Sequence, residues 1–198
     1  MLEFQIEFQP RIPTSKNLVI GTLGPSATSS DYASQYITNQ LLSEQFTAST
    51  QLFDTFIDVK EALLQDQVDL ALVPHAYDRI NEFYMEPSFD LSFIFIFPTP
   101  VYGLAKKKNT EVVFNGSRIV THPAPLPLLT KLLPDYQDQT QIQVDLSPST
   151  SDSAIQVMQG LADFAITNEN AVQAYDLEFI SIYGNIRMSW SIFQKKLN

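Results

Sequence analysis

Thr22, Ser26, Thr28, Ser29 and Ser30 crowd one short stretch of this chain, and Ser147, Ser149, Thr150 and Ser151 crowd another. Hydroxyls beside a helix start can join its free N–H groups and its dipole in holding a carboxylate. His75 and Tyr77 stand in Val73-Pro74-His75-Ala76-Tyr77-Asp78-Arg79, and His122 in Thr121-His122-Pro123. An imidazole can give a proton or pair with a carboxylate near neutral pH, and a phenol can donate a hydrogen bond. Asp78 and Arg79 read as a local ion pair. Turns with so little fixed charge suit a small polar anion better than a macromolecule. Each also has a plainer reading: Ser and Thr are ordinary helix caps, a lone loop His is often structural, His122 can simply brace its turn, and Asp152 suits the dipole of its helix. The glycine spacing and lysine of a Walker or dinucleotide loop are missing.

The elements that must position these turns alternate between strand and helix. Leu18 to Thr22 reads as a buried strand, followed by a helix from about Ser30 to Leu42 and a strand near Thr50 to Phe53. Thr55 with Asp58 resembles a capping box, and Phe56, Val59, Ala62 and Leu63 supply the apolar face of the helix it opens. Strands follow at Leu70 to Val73, Leu91 to Phe97 and Val101 to Ala105, with Pro98 and Pro100 marking a crossing between lobes. The second half predicts strands at Arg118 to Thr121, Ile142 to Leu146 and Phe164 to Thr167. Its helices fall at Leu126 to Leu133 and Ser151 to Gln159, and the tail returns through a short helix and a last strand around Ser189 to Gln194. This order implies parallel sheets with helices on their faces. Val59 to Pro74 echoes Ala154 to Asn168, each a helix, a turn, an Asp and an apolar strand. If that repeat is real, the chain holds two related α/β lobes, and a ligand belongs between them at the carboxyl ends of the strands. We expect lobe 1 at about 1–98 plus 176–198, and lobe 2 at about 99–175.

Composition narrows the function. The 198 residues are 44% hydrophobic and 17% charged, enough to bury a sizeable core. Twenty-two acids against twelve bases leave a net charge of −10, which argues against nucleic acid. An anionic substrate then needs a local pocket of hydroxyls, N–H groups and one or two cations to outweigh the overall field. There is no cysteine, which removes disulfides, thiolate ligands and a thiol nucleophile. The two histidines lie 47 positions apart, without the spacing of a metal site, so no metal is expected. No run approaches the roughly 20 apolar residues of a membrane helix, and Met1 to Pro13 alternates Leu2, Phe4, Ile6 and Phe8 like a strand rather than a signal peptide. A cytoplasmic protein, not bound to membrane, is the expectation, with a homodimer among the arrangements allowed.

The clusters are specific in combination. Gly24-Pro25-Ser26-Ala27-Thr28 resembles the prephenate dehydratase signature G-P-x-G-T-F-S, and Val73-Pro74 stands where that family has V-P-x-E-N. Thr121-His122-Pro123 is similar to its S-H-P, and Ser149-Thr150 to its S-T before a helix. The likeness runs from about Leu18 to Phe193. It implies an α/β fold of two Rossmann-like lobes resembling a type II periplasmic binding protein, with the site at their interface, no cofactor, and no ACT domain in this chain.

The departures point to one branch of that family. Ala76-Tyr77 replaces Glu-Asn, Ser29 replaces the signature Phe, and Ser191-Ile192-Phe193 stands for the catalytic Thr-Arg-Phe. Phe83-Tyr84-Met85, Thr99-Pro100 with Tyr102-Gly103-Leu104-Ala105, Thr167-Asn168-Glu169 and Met188-Ser189-Trp190-Ser191 resemble the non-aromatising prephenate decarboxylases of bacilysin and aeruginosin-type peptide biosynthesis. A dehydratase must assist departure of hydroxide, whereas a non-aromatising decarboxylase must withhold that help and protonate carbon. Ile192 for Arg removes a strong donor, although it equally suits a buried strand. The resemblance implies that Thr28, Ser29 and Ser30 hold a carboxylate of prephenate, with Thr150 and Ser151 as donors from the other lobe. Thr22, Ser26 and Ser189 are further candidates for the substrate site. It leaves His75, Tyr77 or His122 to supply the proton, Ser191 as a surviving catalytic hydroxyl, and Arg187 as a replacement cation. A dehydratase with relocated groups, giving phenylpyruvate, and a non-catalytic binding module for small anions are the competing readings.

Overall fold

Two five-stranded sheets carry the chain in a computed structural model that describes residues 17–40, 47–133 and 141–196. The strand expected within Met1 to Pro13 lies outside the described residues. The first sheet contains β1 (Asn17–Leu23), β2 (Thr47–Phe53), β3 (Leu70–Pro74), β4 (Phe89–Pro98) and β10 (Arg187–Lys195), ordered β2-β1-β3-β10-β4. The second contains β5 (Tyr102–Lys107), β6 (Arg118–Thr121), β7 (Gln143–Leu146), β8 (Phe164–Asn168) and β9 (Leu177–Gly184), ordered β7-β6-β8-β5-β9. Three strands of each sheet pair in parallel, a fourth (β10 or β5) runs against them, and the edge strand (β4 or β9) pairs antiparallel with that fourth. The β9 pairing is a departure: residues 177–184, expected with lobe 1, belong to the second sheet, and the chain returns only at β10. Their Leu-Glu-Phe-Ile-Ser-Ile-Tyr pattern is a strand signal, but which sheet it joins is settled by β5 offering a free edge.

Helices α1 (Ser29–Gln40), α2 (Phe56–Leu64) and α3 (Asn81–Tyr84) flank the first sheet, and α4 (Leu129–Leu132), α5 (Thr150–Met158) and α6 (Glu169–Ala174) flank the second. The helix expected over Leu126 to Leu133 starts as a 3-10 turn at Leu126–Leu128, where Pro127 lacks an N–H to give. Apolar residues of α2 pack with Val73, Phe83 and Phe193 on one face of the first sheet. Ala33 and Ile37 of α1 pack with Leu70, Leu72, Trp190 and Ile192 on the other. Corresponding layers cover the second sheet.

The internal echo is structural. Thr55 caps α2 by accepting from the Asp58 amide, and Ser149 caps α5 by accepting from Asp152. Fourteen positions after each cap an Asp precedes the next strand. The Asp69 carboxylate accepts from the Val19 amide and Asp163 from the Arg118 amide, both at 2.8 Å. Each carboxylate thereby sets the register of a parallel pair, β1–β3 or β6–β8. The lobes are joined where β4 passes to β5 and β9 passes to β10. There the Thr99 amide donates to the Ile186 carbonyl at 2.9 Å, and the Ile186 amide donates to Thr99 Oγ1 at 3.1 Å.

Candidate active site

Because the strands of both sheets end toward one another, the turns that follow them face a common cleft of about 490 Å³. Thr28, Ser29 and Ser30 line it from the start of α1, Thr55, Phe56 and Ile57 from α2, and Ser149 and Thr150 from α5. Three helix N-termini thus turn partial positive charge and free N–H groups toward the space between the lobes. Such short-range donors answer the net charge of −10, which would otherwise repel an anion. Leu23, Pro74, Leu128, Ile186, Met188 and Trp190 give the cleft an apolar stretch of wall, and Asp54, Tyr77, Arg79 and His122 add polar groups.

The hydroxyls at the base join the lobes. Thr28 caps α1, accepting from the Asp31 amide at 3.1 Å while its own O–H donates to the Leu23 carbonyl. Ser29 Oγ lies 2.9 Å from the Tyr102 phenol, which also bonds Thr150. Burial raises the Tyr102 pKa, so the phenol stays protonated, although its two hydroxyl partners pull the other way. Asn168 donates to the Ala27 carbonyl at 3.1 Å and to Thr150 Oγ1 at 3.3 Å. Ser30 has no intramolecular partner for its hydroxyl among the described residues, and its oxygen is free to meet a ligand.

Two of the expected proton donors, His122 and Tyr77, line the cleft and differ in setting. His122 Nδ1 accepts from the Ala124 amide at 3.2 Å, so the turn is braced as expected and the neutral ring carries its proton on Nε2. Burial lowers the His122 pKa, opposed by the Asp78 carboxylate. Tyr77 rests on Phe56, ring centroids 4.6 Å apart, and burial raises its pKa, with Arg79 acting in the opposite sense.

Several expected site residues stand elsewhere. His75 does not line the cleft: Nδ1 is 2.8 Å from Ser189 Oγ and Nε2 is 2.6 Å from Ser191 Oγ, with the Tyr84 phenol 2.9 Å from Ser191. Alternation along β10 explains this, because Ser189 and Ser191 face one side while Met188, Trp190 and Ile192 face the other. Ile192 is fully buried in the core beneath α1, the strand role it equally suited. Thr22 is buried and donates to the Leu72 carbonyl, tying β1 to β3. Ser26 donates to Asp31. Ser151 is buried away from the cleft, and Arg187 is exposed outside it. The cleft cation is Arg79, paired not with Asp78 but with Glu82. Tyr102, Asn168, Thr99 and Arg79 have no site role that the sequence reveals, yet the first two tie the lobes together, Thr99 joins the hinge strands and Arg79 lines the cleft. Their signal was position, each next to a strand end or hinge, but only the meeting of the lobes gives it meaning.

No established family profile matches the chain. It is 59% identical over 196 residues to the prephenate decarboxylase of Planktothrix agardhii, covering 99% of this chain and 97% of that protein. It is 42% identical over 185 residues to the prephenate decarboxylase of Bacillus subtilis, covering 91% and 88%. A prephenate dehydratase of Lactococcus lactis subsp. cremoris is 25% identical over 156 residues, 73% of this chain and 54% of that one. Among solved structures, the prephenate dehydratase of Arthrobacter aurescens superimposes with a TM-score of 0.69 at 14% identity. That match covers 91% of this chain, which spans 61% of the solved one. A periplasmic substrate-binding protein from Coxiella burnetii gives a TM-score of 0.57 at 16% identity, over 90% of this chain and 84% of that one. These two structures show the two-lobed α/β fold.

Proposed function

The chain belongs to the prephenate decarboxylase family, and from that premise we propose that it removes only the ring carboxylate of prephenate and keeps the C4 hydroxyl, giving dihydro-4-hydroxyphenylpyruvate. The protein is a decarboxylating enzyme, a carboxy-lyase acting on prephenate. In the proposed step the C1–CO2 bond breaks and its electron pair forms a new ring double bond. The displaced π pair takes one proton at a ring carbon. CO2 leaves, the hydroxyl stays, and no redox partner is needed.

The observation that carries the non-aromatising reading is what β10 offers the cleft. Its two lining side chains are Met188 and Trp190, and the indole N–H is already given to the Phe97 carbonyl at 3.2 Å. Neither has a proton to lend a departing hydroxide, and Ser191 has its hydroxyl engaged on the far face. Ser30, the first N–H groups of α1, and Thr150 from the other lobe hold the leaving carboxylate with neutral donors. Of the three expected proton donors, His122 and Tyr77 remain in the cleft, and His122 supplies the proton. The same reading has the enzyme working in the cytoplasm and its product entering synthesis of a peptide-type natural product.

Incubating the protein with prephenate near pH 8 and identifying the product by mass and proton NMR tests this reading. Loss of CO2 with ring sp3 protons retained is the expected result. Phenylpyruvate formed by the enzyme would overturn it, and prephenate left unchanged both near pH 8 and nearer pH 6.5, where more of His122 is protonated, would favour a binding module.

A further inference from the structure

We propose that Arg79 selects the substrate by its side-chain carboxylate, the one that survives the reaction, and that Glu82 holds the guanidinium ready for it. This rests on the decarboxylation reading above. Arg79 is the one lysine or arginine among the described residues lining the cleft. It stands on the loop after β3, where Tyr77 leans on Phe56 and so sets that loop beside the start of α2. Glu82 engages it with a single oxygen: Oε1 accepts from Nε at 2.6 Å and lies 2.5 Å from Nη2. A guanidinium has five N–H groups, so three remain for a ligand, in the planar fork that suits a carboxylate. Half of the side chain is exposed, at 51%, and a ligand can reach it. Asp54 is the carboxylate that also lines the cleft, and the Asp78 charge acts on His122, Arg79 and Tyr77 alike.

Prephenate carries two carboxylates, and the chemistry decides which belongs on the cation. The ring carboxylate loses its charge as CO2 departs. A guanidinium paired with it would stabilise the ground state more than the transition state and slow the step. The side-chain carboxylate keeps its charge throughout, so a cation there strengthens binding without opposing the reaction. Neutral hydroxyls and N–H groups at α1 and α5 are the weaker partners, and they suit the group that must leave.

The test compares prephenate kinetics of the wild type with Arg79→Gln, Arg79→Lys and Glu82→Gln. It adds competitive inhibition by phenylpyruvate, which carries only the side-chain carboxylate, and by benzoate, which carries only a ring carboxylate. Arg79→Gln should raise KM about tenfold or more, with the loss falling on KM rather than kcat, and Arg79→Lys should recover part of it. Glu82→Gln keeps an acceptor for Nε and removes a competing charge, and KM should fall. Phenylpyruvate inhibition should weaken in Arg79→Gln by about the same factor as KM, and benzoate inhibition should hold. An unchanged KM, a loss confined to kcat, or weakened benzoate inhibition with phenylpyruvate unaffected would overturn the proposal. If the wild type releases phenylpyruvate, the non-aromatising reading fails, while the KM and inhibition comparison still judges Arg79 on its own.

Discussion

His122 shows how one side chain links the reaction to stability. Its ring must be protonated to give a proton to carbon, yet burial favours the neutral form. The value of kcat/KM should therefore decline as pH rises above that lowered pKa. Replacing His122 with Asn should cost about 10²-fold or more in kcat, whereas Tyr77→Phe should cost less. Stability follows with a definite sign. A histidine whose folded pKa is depressed contributes stability that is complete above the unfolded value of about 6.5, and it is lost as pH falls through the folded value. The melting temperature of the wild type should drop more between pH 7.5 and 5.5 than that of His122→Asn; an equal drop would remove the buried imidazole from the explanation.

Among the elements, the turn from β1 into α1 carries the clearest local tension. Ala27 holds φ at +70°, a left-handed conformation that glycine adopts without a Cβ penalty. The resembling dehydratase signature has glycine at that place, and the backbone here supplies the reason. The turn persists because Asp31 accepts from the Ala27 amide at 2.8 Å and Asn168 bonds its carbonyl. Ala27→Gly should stabilise the protein by about 0.5–1 kcal/mol, the relief of the left-handed penalty less the extra backbone entropy of glycine. Urea unfolding measures it, and a loss of stability would mean that the Ala27 methyl packs better than its backbone strain suggests.

For the molecule as a whole, the working unit is the gap between two related lobes. Asn168 and the Ser29–Tyr102 pair close its base, and the Thr99–Ile186 bonds fix the two hinge strands side by side. Asn168 also caps α6 through Oδ1, which accepts from the Ala171 amide. Asn168→Asp keeps that cap and removes the amide donor between the lobes. The expected outcome is a KM raised several-fold and faster amide exchange around residues 27–30, with α6 unaffected. Exchange unchanged at those amides would show that the lobes are held elsewhere.

Periodicity, caps and turn residues in the sequence determined most elements, the pairing of the two halves, and the strand-end turns that line the cleft. These are local properties: Thr55 and Asp58 are three residues apart, and a strand-to-helix turn carries its hydroxyls wherever the sheet goes. The family likeness added the substrate class. Tertiary structure decided what depends on the far side of a strand or on the other lobe. Whether Ser191 or Trp190 reaches the cleft is set by which face of β10 packs beneath α1, and a shift of one residue reverses it. His75 and His122 look alike in sequence, each just beyond a strand, yet one is held by two serines of β10 and the other lines the cleft. The sequence points to Arg187 as the cation and reads Arg79 only as a partner of Asp78, and the meeting of the sheets gives the cleft to Arg79 instead. Side-chain direction across a sheet and contact between lobes join residues about a hundred positions apart, and no local pattern encodes that juxtaposition.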